Sequence, residues 1–232
     1  MQLFYEPNVS GDQFILNEEE SRHCIKVLRK KAEDNITIID GKGNFITAQI
    51  LDAHPKKCQV KVIETQAENS RKFYIHIAIA PTKNVDRIEW FIEKSVEIGI
   101  DEISFINCQN SERRLIKMDR IEKKAISAMK QSLKATMPKL NDIQSFKDFI
   151  KMEDNSDKFI GFVDMDNPHH LVHKAQKSSK YLMLIGPEGD FTLEEVALAI
   201  SNGFQKISLG QSRLRTETAG ISACCLFNMI NL

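Results

Sequence analysis

The sequence predicts an α/β protein in two parts: a small, mostly antiparallel β domain over residues 1–68, then a parallel sheet with helices on both faces. Two observations support this fold class. Up to about residue 68, short segments rich in β-formers are separated by turn signals. Beyond residue 72, strand patterns alternate with helix patterns, and that alternation is typical of parallel sheets. The polar, aperiodic stretch 65–70 is interpreted as the linker.

The first part contains three clear strand predictions and one helix. Strands over 36–39 and 45–50 flank Asp40-Gly41-Lys42-Gly43, a turn of the type that closes hairpins. A third strand over 58–63 alternates cleanly, and only the segment 18–28 has a helical pattern. We expect a barrel-like β domain.

The second part reads as five strands and five helices in alternation. The strands are predicted at 73–79, 103–106, 158–163, 181–185 and 206–209. The helices are predicted at 88–96, 119–133, 169–176, 193–201 and from 218 onward. Gly99 suits the position just past the first of these helices. Thr192 and Glu195 form a capping-box pattern at the start of the fourth, where Phe191 can pack on Val196.

Composition describes an ordinary globular chain but leaves two basic segments. The 32 basic and 32 acidic residues among 232 cancel, so whole-chain charge does not indicate a polyanionic partner. Locally, 22–31 holds five basic residues and no acid, and 111–140 holds nine basic residues against three acids. A charge run is usually a solvated face, but two separate basic segments in a neutral protein raise the odds of a polyanionic partner.

Location and metal content are also constrained. The N-terminus lacks the basic and apolar regions of a signal peptide, and no apolar run approaches the length of a membrane span. We therefore expect no membrane partner. The five cysteines lack metal-ligand spacing and are interpreted as reduced, which favours a cytoplasmic location. His169, His170 and His173 have no supporting carboxylate or cysteine, so no metal site is expected.

Two loops carry the chemistry. Gly186-Pro187-Glu188-Gly189 follows an apolar strand, and a polar loop after Leu209-Gly210 leads into the last helix. Both fall at the carboxyl edge of the predicted sheet, where open α/β folds bind ligands. The chain has neither G-x-G-x-x-G nor a P-loop, and the proline removes a backbone donor. An adenosine with an uncharged linkage therefore fits better than a pyrophosphate.

These residues support a family resemblance. The segment 185–189, with Leu209-Gly210 and the run 213–219, resembles the RsmE family of ribosomal RNA methyltransferases in the SPOUT superfamily. Further short segments that match the family lie at 23–29, 93–99, 111–113 and 131–132, so the resemblance covers essentially the whole chain. It implies a PUA-like β-barrel domain over 1–68 and a SPOUT methyltransferase domain over 72–232 with a C-terminal trefoil knot. It also implies a homodimer, S-adenosyl-L-methionine as methyl donor, and 3-methyluridine in the 16S ribosomal RNA of the small subunit as product.

The resemblance assigns roles to individual residues. Methylation of uracil N3 requires loss of the N3 proton and stabilisation of charge on the carbonyl oxygens. Arg215 is the expected cation, and Glu217 either accepts the proton or holds Arg215, unless it serves only the helix N-terminus. The residues expected to bind S-adenosyl-L-methionine are Leu184, Ile185, Gly186, Pro187, Glu188, Gly189, Leu209, Gly210, Leu214 and Thr216. The residues expected to bind RNA are Arg22, Lys26, Arg29, Lys30, Arg113, Arg114 and Lys134.

Two positions depart from the family pattern, and two other functions stay open. Asp190 stands where a third glycine is common, and Ser212 stands where an arginine is often found, with Arg213 beside it. A SPOUT enzyme that methylates a ribose 2′-hydroxyl would share this fold and cofactor. A non-catalytic ribosomal RNA-binding protein would retain the pocket without turnover.

Overall fold

A computed structural model describes residues 2–152, 155–164 and 169–232. The chain forms two compact units. The first comprises Met1–Ser70 and Ile126–Met137, and the second comprises Arg71–Ala125 and Pro138–Leu232. The segment 126–137, which the sequence assigned to the methyltransferase domain, therefore clusters with the first unit.

The first unit is built on a five-stranded sheet. Its strands are Leu3–Tyr5 (β1), Gln13–Ile15 (β2), Asn35–Ile39 (β3), Asn44–Asp52 (β4) and Gln59–Ala67 (β5), in the order β1-β3-β4-β5-β2. The β1–β3 pair is parallel and the other pairs are antiparallel. Helix Glu18–Arg22 (α1) continues into a π-helical turn, His23–Val27.

The linker prediction over 65–70 was wrong at its start. Residues 65–67 belong to β5, where Thr65, Gln66 and Ala67 pair with residues of β4. The exposed end of this strand is held by backbone pairing and needs no alternating apolar pattern, so periodicity could not reveal it.

The second unit contains a six-stranded parallel sheet. Its strands are Tyr74–Ile79 (β6), Glu102–Asn107 (β7), Lys139–Ser145 (β8), Asp157–Gly161 (β9), Lys180–Ile185 (β10) and Gln205–Ile207 (β11). The order is β11-β9-β10-β6-β7-β8, and all pairs are parallel. The chain moves outward from β6 to β8 and then returns to the other side of β6. This reversal creates a crevice at the carboxyl ends of neighbouring strands.

The longer helices follow the sequence signals closely. They are Val85–Ile98 (α2), Met118–Gln131 (α3), Phe146–Phe149 (α4), Leu171–Lys174 (α5), Leu193–Ser201 (α6) and Thr216–Ile230 (α7). Gly99 caps α2 with a φ of 120°, and Thr192 and Glu195 form the predicted capping box of α6. Among the described residues, no helix has the length and hydropathy to cross a membrane.

Strand β8 and helix α4 were missed. Strand β8 lies at the edge of the sheet beside β7, and its residues are mostly exposed or half-buried. An edge strand with polar residues on both faces gives no alternating signal, so the segment looks like a loop in the sequence.

A polar network around the half-buried Glu102 joins the amino ends of β6, β7 and β8. Lys139 Nζ lies 2.9 Å from Glu102 Oε1, Asn141 Nδ2 donates to the same oxygen at 2.6 Å, and Tyr74 Oη donates to Oε2 at 2.9 Å. Burial alone would raise the pKa of Glu102, but these partners and His76 hold the pKa below its ordinary value.

Candidate functional site

A cavity of about 860 Å³ opens at the carboxyl ends of β9, β10 and β11. Three loops line it: residues 161–164 after β9, residues 185–190 after β10, and residues 208–216 after β11. The volume falls in the range typical of small-molecule and cofactor sites. The predicted pocket is therefore present where the sequence placed it, with a third wall from the loop after β9.

The loop after β10 makes a tight turn. The Asp190 N–H donates to the Pro187 carbonyl at 2.9 Å, and a Cβ at Gly186 would lie only 3.1 Å from the Phe191 ring. A side chain at Gly186 would therefore displace the residue that anchors the start of α6.

Asp190 fits this turn although a glycine is common there in the resembling family. Its φ is 61°, a left-handed conformation that aspartate tolerates better than most residues. Its carboxylate accepts the Phe191 N–H at 2.8 Å and the Val163 N–H at 3.3 Å. The side chain thus joins the loop after β10 to the loop after β9. Burial raises the pKa of Asp190, although these donors and Arg213 act in the opposite direction.

Glu188 connects the cavity to the loop after β6. Its Oε1 accepts the Lys83 N–H at 2.9 Å, whereas Oε2 is buried and has no hydrogen-bond partner in the described part of the chain. The guanidinium of Arg113 donates to the Thr82 carbonyl at 3.0 Å and to the Lys83 carbonyl at 2.6 Å. Arg113 therefore contacts the backbone of the loop that supports Glu188 through Nε and Nη2, and the RNA contact expected of it stays a prediction.

The loop after β11 depends on glycine. Gly210 has a φ of 132°, and no atom lies within 4 Å of a Cβ built on it. The Ser208 hydroxyl donates to the Gly210 carbonyl at 2.9 Å and accepts the Gly210 N–H at 3.1 Å. The constraint at Gly210 is thus its backbone conformation, which a side chain would strain. Arg213 Nη2 lies 3.5 Å from the Glu188 carbonyl and joins this loop to the one after β10.

The two predicted catalytic residues lie at the start of α7. Arg215 is exposed, precedes the helix and lines the cavity. Glu217 is buried, with only 5% of its surface exposed. Its ion pair is with Arg87 of α2, whose Nε lies 3.8 Å from Glu217 Oε1. The suggestion that Glu217 holds Arg215 is therefore replaced by a pair with Arg87, a residue that the sequence did not single out.

Most of the predicted cofactor residues line the cavity, but two do not. Those that do are Ile185, Gly186, Pro187, Glu188, Leu209, Gly210, Leu214 and Thr216. Leu184 is fully buried in the hydrophobic core of the second unit. Gly189 turns away, and a Cβ there would contact Asn110 at 3.1 Å. Strand residues alternate between faces, so Leu184 belongs to the core although its neighbour lines the pocket.

Several lining residues were missed. They include Gly161, Phe162, Val163, Asp164, His170, Ser208, Gln211 and Ala219. The predicted strand 158–163 ended two residues late, since β9 stops at Gly161. Ligands of parallel sheets bind at the carboxyl ends of strands. A predicted strand that ended at Gly161 would therefore have placed the loop after β9 among the pocket-lining segments.

The predicted RNA-binding residues are mostly exposed. Arg22, Lys26 and Arg29 of the first unit are exposed, and Lys30 and Lys134 are half-buried. Arg114 of the second unit is exposed as well. Within the described residues, none of these six forms an ion pair with an acidic side chain. Their charges are available to phosphates.

The histidines and cysteines show no metal site or disulfide among the described residues. His170 Nδ1 accepts the Val172 N–H at 3.2 Å and caps α5. Over residues 2–152, 155–164 and 169–232, no three His, Cys, Asp or Glu side chains form a group that could hold a metal ion. The five cysteines are free thiols, and four of them are buried. Pro168, whose position just before these histidines suggests a helix start in the sequence, lies outside the described residues.

Comparison with known proteins identifies the family of this chain. Residues 68–228 match a family model described as an RNA methyltransferase domain, and residues 16–63 match an RNA methyltransferase PUA domain. A ribosomal RNA small subunit methyltransferase E from Buchnera aphidicola is 31% identical, covering 95% of this chain and 90% of that protein. The Bacillus subtilis protein of the same name is 28% identical, covering 90% of this chain and 87% of its own length.

Solved structures agree over the whole chain. A Porphyromonas gingivalis protein described as a probable rRNA methyltransferase superposes with a TM-score of 0.93 at 41% identity, covering 100% of this chain and 98% of that one. A ribosomal RNA small subunit methyltransferase E from Neisseria gonorrhoeae, bound to S-adenosyl methionine, gives a TM-score of 0.89 at 28% identity, covering 100% and 98%. A PUA-like domain and a SPOUT-type parallel-sheet domain are therefore common to these chains.

Proposed function

Since the chain belongs to the RNA methyltransferase family that includes the ribosomal RNA small subunit methyltransferases E, we propose that it methylates N3 of a uridine in 16S ribosomal RNA. S-adenosyl-L-methionine is the methyl donor. The observation that supports this proposal most strongly is the cavity at the carboxyl ends of β9 to β11, which has Arg215 on its wall and Glu217 two residues further on, in the first turn of α7.

The cavity fits the donor in shape and chemistry. Its walls are three loops with backbone polar groups and apolar side chains such as Ile185 and Leu214, and they carry no glycine-rich phosphate cradle. A nucleoside with a sulfonium linkage needs no such cradle. When bound, S-adenosyl-L-methionine supplies an electrophilic methyl group. The loops after β10 and β11 would hold it, in the conformations that Gly186 and Gly210 allow.

The residues beside the cavity suit a reaction at uracil N3. The base must lose its N3 proton, and negative charge then spreads to the carbonyl oxygens. A guanidinium at Arg215 would stabilise that charge through two parallel donors. Glu217 would accept the N3 proton, and its pair with Arg87 would fix the carboxylate. The new N3–C bond then forms as the S–C bond breaks.

The RNA would be held by exposed basic residues on both units. Phosphate contacts from Arg22, Lys26, Arg29, Arg114 and Lys134 would position the RNA without reading its sequence. Lys30 contributes to the same basic segment. This arrangement suits a large folded RNA, such as that of the small ribosomal subunit.

Three further properties belong to the same proposal. The chain acts as a homodimer, its C-terminal segment passes through a trefoil knot, and it works in the cytoplasm, where small subunits are assembled. The domains divide near residues 68–72, with 1–68 as the RNA-binding domain and 72–232 as the methyltransferase domain.

Transfer of labelled methyl groups tests the proposal. The protein is incubated with labelled S-adenosyl-L-methionine and with small or large ribosomal subunits from a strain that lacks the endogenous enzyme. We expect label in 16S RNA only, and calorimetry should detect cofactor binding to the protein. Cofactor binding without transfer to any ribosomal RNA would instead indicate a non-catalytic RNA-binding protein.

A further inference from the structure

The second unit contains a shallow cavity next to the cofactor cavity. It has a volume of about 380 Å³ and is lined by Asp86, Arg87, Trp90, Arg215, Glu217 and Thr218. Arg215 lines both cavities. A group bound in the shallow cavity would therefore meet the cofactor cavity at the residue expected to stabilise charge during methyl transfer.

Trp90 presents an aromatic surface to this cavity. Its neighbours Ile88, Phe91 and Ile92 are fully buried and fix α2 in the core, whereas Trp90 is 46% exposed. The indole is therefore not required for the core. A large exposed aromatic side chain beside a functional site commonly serves contact with a ligand.

Glu217 provides an unsatisfied acceptor in the same place. Its side chain is 94% buried, since 6% of it is exposed. Oε1 faces Arg87, and Oε2 has no hydrogen-bond partner among the residues that the structure describes. A buried carboxylate oxygen without a donor is costly. An N–H from a bound ligand would satisfy it.

We propose that this cavity receives the target uracil and that Trp90 stacks on its ring, an inference that rests on the proposed function. Uracil has one N3–H donor, two carbonyl acceptors and a flat face. The cavity offers a carboxylate acceptor, guanidinium donors and an indole face to match them. Since the reacting atom of a paired or stacked base is inaccessible, the base would leave its stack to enter this cavity. Trp90 holds the extruded base, and Arg87 is a positioning residue for Glu217.

Kinetics of Trp90 variants provide the first test. A base–aromatic stack contributes about 1–3 kcal/mol, so Trp90→Ala should lower kcat/KM for small subunits by roughly 5- to 150-fold. The cofactor Kd should stay within about twofold of the wild-type value, because Trp90 does not line the cofactor cavity. Trp90→Phe keeps an aromatic face and should retain most of the activity. The matched control is Leu193→Ala, since Leu193 is 72% exposed and lines neither cavity.

The outcomes separate this proposal from the function on which it rests. If the wild-type protein transfers no methyl group to ribosomal RNA, the proposed function fails. If the wild type is active and Trp90→Ala matches both wild type and Leu193→Ala, only the stacking proposal fails. Equal loss of activity in Trp90→Ala and Trp90→Phe would also overturn it, because stacking requires only an aromatic face.

Fluorescence gives an independent readout, because Trp90 is the single tryptophan of the chain. With 5-hydroxytryptophan in its place, the emission can be excited selectively in the presence of ribosomal proteins. We expect acrylamide to quench this emission in the free protein. Saturating unmethylated small subunits should shift the emission and protect it. Emission that is already shielded in the free protein would place Trp90 between copies of the chain and overturn the proposal, as would emission unchanged at saturation.

Discussion

Replacing Arg215 by alanine removes a guanidinium group from the wall between two cavities of the second unit. Arg215 is exposed and precedes α7 without a side-chain capping hydrogen bond. Its loss should therefore change the free energy of unfolding by no more than about 0.5 kcal/mol. The expected cost falls on catalysis. A single donor that faces charge developing in a transition state contributes about 2.7–4 kcal/mol, which corresponds to a 10²- to 10³-fold loss in kcat.

The assay compares methyl transfer to small subunits at saturating cofactor, with calorimetric titration of the cofactor in parallel. Arg215→Ala should bind S-adenosyl-L-methionine nearly as well as wild type, because loop backbone forms most of the pocket. Arg215→Lys keeps the charge but loses the two parallel donors, so its rate should lie between those of alanine and wild type. Lys177→Ala is the charge-matched control, since Lys177 is exposed and lies outside both cavities.

Two results would refute this reasoning. Undiminished turnover by Arg215→Ala would remove the guanidinium from the mechanism. A large loss of cofactor affinity, with kcat preserved, would make Arg215 a cofactor-binding residue without a role in the chemical step.

Three further predictions concern stability. In Gly220→Ala the new Cβ would lie 2.6 Å from Phe91 Cε2, so overpacking of about 1–3 kcal/mol should outweigh the roughly 1 kcal/mol gain in helix propensity; a Tm at or above wild type would contradict this. Glu102→Gln should cost about 2 kcal/mol at pH 7, because charged hydrogen bonds such as that with Lys139 are lost. Since the folded-state pKa of Glu102 is lowered, its stabilisation is present above the ordinary pKa and disappears as pH falls through the folded value. The urea midpoints of variant and wild type should therefore converge only once the pH lies below the ordinary range of a glutamate. Thr192→Ala should cost about 1 kcal/mol in urea unfolding through loss of the α6 cap, and Thr192→Ser should retain the cap.

The elements that the sequence predicted well are those with strong local signals. The capping box at Thr192 and Glu195 predicted α6 at its observed bounds, and Gly99 correctly ended α2. Apolar alternation found the central strands of the parallel sheet. The polar edge strand β8 lacked such a signal and could not be found this way.

The site was predicted in part for a similar reason. The segments around Gly186 and Gly210 each follow a strand, and from that we correctly predicted that they line one cavity. Contacts between distant segments were invisible to that argument. The pair of Arg87 with Glu217 depends on how α2 packs against α7. The backbone contacts of Arg113 depend on how the loop after β7 packs against the loop after β6. No local pattern encodes that packing.

The most direct test of the proposed activity is the chemical identity of the methylated nucleoside. Small subunits that lack the modification are incubated with the protein and isotopically labelled S-adenosyl-L-methionine, and the 16S RNA is then digested to nucleosides for mass spectrometry. We predict a single labelled product, 3-methyluridine, whose label stays with the base on fragmentation. Label that stays with the ribose would show 2′-hydroxyl methylation and would contradict the roles given to Arg215, Glu217 and the uracil cavity.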